Sequence, residues 1–141
     1  MSAAVTAATA IAAALGLAAV AGALHSRRSG TLRDTEHPEG LDAAELGLSA
    51  TGPTIVHFTA AWCGPCAAVS RVITQVCAEL PQVAHREIDL DANPTAAQQL
   101  SVLSLPTTFI FDAEGRQRYR SAGVPKAGDL KAALEPLLAD S

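Results

Sequence analysis

Two cysteines separated by a glycine and a proline, in Trp62-Cys63-Gly64-Pro65-Cys66, constrain the fold more than any other stretch of the chain. Before them, Ile55-Val56-His57-Phe58 reads as a short buried strand. After them, Ala67 to Leu80 reads as an amphipathic helix, with Val69, Val72, Ile73, Val76 and Leu80 at helical spacing. Pro65 suits the first helical turn, whose N–H groups have no intrahelical partner to lose. The chain must therefore turn sharply from strand to helix at the cysteines. Free N–H groups and the helix dipole at that N-terminus stabilise a thiolate, so Cys63 reads as the acidic, accessible thiol and Cys66 as the buried one. This asymmetry suits dithiol exchange, in which Cys63 attacks a disulfide and Cys66 resolves the mixed disulfide. A structural zinc site would need four ligands, and no second C-x-x-C or paired histidines follow. An inert disulfide over so short a loop would restrain the unfolded chain very little.

The pentapeptide after an apolar strand resembles the thioredoxin family, and the likeness continues in the family's order over about residues 51 to 139. Thr54 to Ala61 resembles the central strand and Val83 to Asp91 the next one. Asn93-Pro94 resembles a helix start, Leu105-Pro106-Thr107 the cis-proline loop, and Ala122-Gly123-Val124 the glycine turn before the last helix. The resemblance implies an α/β, thioredoxin-like fold: a central mixed sheet of four or five strands flanked by helices. It implies a redox-active Cys63–Cys66 pair and a substrate groove shaped by Trp62, Gly64, Pro65, Leu105, Pro106 and Gly123, with Leu105 offering backbone hydrogen bonds. It also implies protein disulfides as substrates, no cofactor, no metal, and electrons from a thioredoxin reductase or another dithiol. One position departs from the family: His57 stands six residues before Cys63, where relatives carry a buried aspartate. The lysine that often pairs with that aspartate falls near Glu87. A histidine can still accept a proton at neutral pH, and His57 is expected below the dithiol near Cys66. The alternative is a neutral core histidine. A catalytic His57 would leave the pair more oxidising than those of its relatives.

No charged side chain occurs from Met1 to Leu24. Residues 2–24 match the roughly 20 needed to span a hydrocarbon core. About half of that run is alanine, which contributes little to insertion. Ala21-Gly22-Ala23 has the small-x-small form of a signal cleavage site, yet no basic side chain precedes the run. Arg27, Arg28 and Arg33 follow it, so the positive-inside rule places the remainder in the cytoplasm. The expected organisation is a single-pass anchor over 1–24, a polar linker over 25–40, and a domain over 41–141. A net charge of -4 gives no support for nucleic-acid binding. A cytosol-facing dithiol is kept reduced, so the expected function is a membrane-tethered protein-disulfide reductase. The competing readings are a secreted or extracytoplasmic exchange protein and a non-enzymatic module, against which the intact cysteine pair argues. A thiol peroxidase lacks its usual Pro-x-x-x-Thr-x-x-Cys context.

The remaining expectations concern elements. Leu41 to Leu48 suggests a short helix with Leu41, Ala44 and Leu48 on one face, and the family's first strand is short or missing. Alternation over Val83 to Asp91 predicts a strand. Asn93 is a candidate N-cap for a helix from Pro94 through Leu100. Thr107 to Asp112 reads as a buried strand, Asp112 to Gly115 as a hairpin loop and Arg116 to Ala122 as its return strand. Gly128 to Leu138 reads as the closing helix, kinked or shortened by Pro136. Cys77 is expected to point inward as a small hydrophobe.

Overall fold

Strand β2 (Thr54–Thr59) is an interior strand of the sheet, with every residue but the last buried. Side chains alternate along a strand, so Ile55 and His57 face one side and Val56 and Phe58 the other. The computed structural model describes residues 3–35 and 44–140. The remaining elements are α1 (Ala3–Arg28), β1 (Arg33–Asp34), α2 (Cys66–Glu79), β3 (Ala84–Asp89), α3 (Pro94–Gln99), β4 (Thr107–Phe111), β5 (Gln117–Ala122) and α4 (Ala127–Ala139). The sheet order is β1-β5-β4-β2-β3. β3 lies parallel to β2, with α2 as the crossover such a pair requires, and β4 runs antiparallel on the other side. The sheet is mixed and flanked by helices, as the resemblance implies.

Two apolar layers hold it. On one face Ile55 and Ile110 pack with Val69, Ile73 and Val76 of α2 and Leu130, Leu134 and Leu137 of α4. On the other, Val56, Phe58, Phe109 and Phe111 pack with Ala97, Leu100 and Leu46. Phe58 and Phe109 meet edge to face at 6.0 Å. Losing one such buried phenylalanine side chain costs about 3–5 kcal/mol. Cys77 is half-buried against the first layer.

The structure corrects several expectations. Within the stretch expected as linker, 25–40, α1 continues to Arg28 and β1 pairs antiparallel with β5, Arg33 opposite Arg120. The first strand, expected to be short or missing, is thus present and short. At two residues it needs only backbone pairing, and its polar side chains give no apolar signal. Thr35 extends it: its N–H donates to Arg118 O, and Gln117 Nε2 donates to Thr35 Oγ1. Residues 41–43 lie outside the described residues. Ala44–Gly47 is a turn, not a helix, closed by Gly47 N–H to Ala44 O and by a positive φ at Gly47. Leu46 is its buried residue and Ala44 is exposed. Arg86 Nε of β3 donates to Gly47 O (2.8 Å) and holds the turn against the sheet. Asn93 occupies the N-cap position of α3 without capping it, because its amide donates to Asp89 O instead. Pro136 does not shorten α4, which runs on to Ala139. The carbonyl left without a donor belongs to Ala132, which is exposed to water.

α1 is separate from both layers. Val5–Arg27, 23 residues of mean hydropathy 2.0, is entirely unburied. Its length and composition suffice to cross a membrane, a test that signal sequences also pass. The chain leaving it is fixed at once: Gly30 N–H donates to Ala122 O. Gly30 and Gly123 both have positive φ, and a Cβ on either would strike its neighbour, the Val124 carbonyl and the Ser29 hydroxyl respectively.

Candidate active site

The motif is a tight turn at the C-terminal end of β2. Cys63 N–H donates to Ala60 O (3.0 Å), Cys66 N–H approaches Cys63 O (3.4 Å), and Pro65 O accepts from Ala68 and Val69. α2 thus begins at Cys66, with Pro65 at its N-cap. A disulfide joins Cys63 and Cys66, whose Cα atoms are 5.5 Å apart. Cys63 is half-buried, whereas Cys66 is buried with its Sγ 3.9 Å from Phe58 O. No acidic side chain sits in the first turn of α2, so nothing there offsets the pull of the helix dipole on a thiolate. Both cysteines line an open groove of about 730 Å³ along α2, with Ser70, Arg71, Thr74 and Glu87. Burial pushes the Cys77 thiol up from its usual value, so it is the less reactive sulfur.

The other residues expected around the substrate fall into two places. Trp62, Gly64 and Pro65 form an exposed rim. Trp62 Nε1 donates to Asp91 Oδ2 (3.1 Å). Asp91 was missed in the sequence; because β3 is parallel to β2, the acidic residues ending β3 had to arrive beside the motif. Leu105–Pro106 is cis, and Gly123 N–H donates to Pro106 O (2.9 Å). Thr107 pairs with Phe58, so the cis-proline loop enters the sheet at the end where β2 feeds the motif. Leu105 and Gly123 line a second cleft of about 770 Å³, shared with His25, Ser29 and Arg33, not the groove holding both sulfurs.

His57 is fully buried and sits between two partners on β3. Its Nδ1 is 2.9 Å from His85 Nε2. The ring centroids are 5.0 Å apart with 21° between planes. That spacing leaves room for two rings in line, so the histidines meet edge to edge through one shared proton and do not stack face to face. His57 Nε2 lies 3.2 Å from Glu87 Oε2 but makes no well-formed hydrogen bond, so this contact is electrostatic. Glu87 pairs in register with His57, and its side chain is 49% exposed. Burial, then His85, pushes His57 down from 6.5 to about 4, while Glu87 pulls it up. His85 is lowered as well, by burial. His57 is therefore neutral at pH 7. The donor atoms of His57, His85 and Glu87 lie within 4.8 Å of one another, a grouping unseen in the sequence. The two partners address opposite ring nitrogens of His57, so the three side chains form a chain running from His85 through His57 to Glu87.

A reversible disulfide at a strand-to-helix turn, one sulfur reachable and the other backed by the core, defines a thiol–disulfide oxidoreductase. Comparison with known proteins places it further. The thioredoxin family model matches residues 43–136, and the chain belongs to the thioredoxin family. It is 40% identical over 75 residues to a thioredoxin of Chlamydia trachomatis, covering 53% of this chain and 72% of that one. Among solved structures it is similar to chloroplastic thioredoxin z (TM-score 0.60, 29% identity, 70% of this chain and 92% of the other). It is also similar to oxidised thioredoxin O2 of Arabidopsis thaliana (TM-score 0.53, 34% identity, 62% and 76%).

Proposed function

We propose that the protein is a membrane-tethered protein-disulfide reductase whose domain faces the cytoplasm. The observation that carries the reading is the Cys63–Cys66 disulfide at the start of α2, with both residues on an open groove. The Cys63 thiolate attacks a substrate disulfide, forming a mixed disulfide and releasing one substrate thiolate. Cys66 then attacks Cys63 Sγ, which closes the internal disulfide and frees the second substrate thiolate. Two electrons pass to the substrate, and a thioredoxin reductase or another dithiol restores the pair. Trp62, Gly64, Pro65, Leu105, Pro106 and Gly123 shape the surface against which the substrate lies.

Tethering rests on α1, which passes unbroken through Ala21–Ala23 and ends packed against the domain. Arg27, Arg28 and Arg33 after the apolar run support the cytoplasmic side.

We assign His57 a part in moving the Cys66 proton, on the ground that it stands on the strand that feeds the motif, six residues before Cys63. Burial holds His57 at about 4, too weak a base to keep that proton, so its part is to pass the proton towards Glu87. Glu87, on the groove wall, is where the proton leaves. A neutral His57 adds no negative charge against a thiolate, which favours the reduced form and a more oxidising pair.

The test is stopped-flow reduction of insulin together with redox equilibration against glutathione. Cys63→Ser is expected to abolish reduction, and Cys66→Ser to trap mixed disulfides. His57→Ala should slow resolution but not the first attack, and His57→Asp should lower the potential. Trapping by Cys63→Ser and not by Cys66→Ser would reverse the thiol roles. Unchanged resolution and potential in both His57 variants would leave it a core residue.

A further inference from the structure

We infer that the cleft between the end of α1 and the cis-proline loop receives cysteine-bearing segments of other integral membrane proteins, close to where those segments leave the bilayer. This rests on reading α1 as a membrane span and the dithiol as an exchange centre. His25 and Ser29, at the C-terminal end of α1, line the same cleft as Leu105 and Gly123. One wall of this second cleft is therefore the end of the apolar helix and the residue that follows it.

The connection has no slack. The apolar stretch ends at Arg27, and three residues later Gly30 is bonded to Ala122 O. Three residues reach no more than about 10 Å, even extended. The two segments lie in close contact there, with no space for a side chain on either glycine: Gly30 abuts the Val124 carbonyl, and Gly123 abuts Ser29. A long flexible linker would let the domain sample water far from the surface. This junction holds the cleft at the headgroup layer.

A cysteine a few residues from another span lies in that same layer, so both partners are confined to one thin slab. Confinement raises their effective concentration without any new contact. A cysteine far from its span spends most of its time outside the slab. The lining adds a charge preference. Arg33 and Arg120 are the charged side chains of the cleft wall among the described residues, which favours neutral or acidic sequence around the cysteine. Arg120 is anchored by Leu100 O and Ser101 O and lies over Phe109, so this wall is rigid.

The test uses the full chain, reduced, in phosphatidylcholine–phosphatidylglycerol vesicles. The probes are single-span peptides carrying one cysteine disulfide-linked to thionitrobenzoate, about three or about twenty residues beyond the span. The dithiol supplies two electrons, and the chromophore leaves as its thiolate. The near probe should release its chromophore about tenfold faster than the far one. A flexible Gly/Ser insertion of about twenty residues after Arg27 should bring the two rates within about twofold, with insulin reduction unchanged. Equal rates in the natural chain would overturn the inference, and so would a preference that survives the insertion. Failure of the chain to float with vesicles would remove the span reading, and loss of insulin reduction the exchange reading, each separately visible and each taking the inference with it.

Discussion

His57 shows what one residue costs and gains by being placed inside a sheet. It is buried where water does not reach and is held below 6.5, at about 4. Between those values the unfolded chain binds a proton that the native chain refuses, so native stability falls as pH falls from about 6.5 to about 4. A shift of this size corresponds to about 3 kcal/mol. Urea midpoints measured across that range should show the decline, and His57→Gln should flatten most of it. His85, shifted the same way, leaves a residual slope. Asp112 acts lower: despite the upward push of burial, Arg116 and Arg118 hold its carboxyl below the usual 3.8, so its contribution is lost only in stronger acid. An unchanged slope in the His57 variant would mean that the ring is not held neutral by the fold. The position of His57 was legible from its spacing to Cys63. Its neighbours were legible only in part, because alternation puts His85 and Glu87 on one face of β3 but the β2–β3 register decides which of them meets His57. The sequence pointed to Glu87 alone.

At the scale of elements, apolar patterning made β2, α2, β3, β4 and α4 readable to within a few residues, and the hairpin turn at Asp112–Gly115 did the same for β5. Elements whose order comes from backbone pairing or a single buried side chain were not readable. β1 is two polar residues, and the Ala44–Gly47 turn is tied down by Leu46 and by Arg86. The cysteine pair was plain in the sequence, and the cis-proline followed from the family resemblance. The separation of their surroundings into two clefts was not, because it depends on where the end of α1 docks. α4 yields a prediction. Pro136 is exposed in its final turns, where it removes an N–H that would bond the Ala132 carbonyl. Pro136→Ala should stabilise the domain, by up to about 3 kcal/mol if the site behaves as a helix interior. A thermal melt reads this, and a lower melting temperature would show that the ring restricts the unfolded chain more than it disturbs the helix.

For the whole molecule, the distribution of charge sets orientation. With Arg27, Arg28 and Arg33 following the apolar run, a reporter active only outside the cytoplasm, fused after Ser141, should stay silent. Strong reporter activity would place the dithiol on the oxidising side and make the secretory reading the better one. Orientation also bears on the outer strand. β3 ends the sheet, so one row of its backbone donors and acceptors faces away from β2. Under the proposed tether, copies sharing one membrane would meet repeatedly in the same plane and with the same side up, a situation that invites strands to zip together. Arg86 and Glu87 stand exposed on β3, and Arg86 draws the Ala44–Gly47 turn towards it. Charge and a covering turn at that rim oppose strand-to-strand aggregation, so crowding in the membrane need not end in fibres.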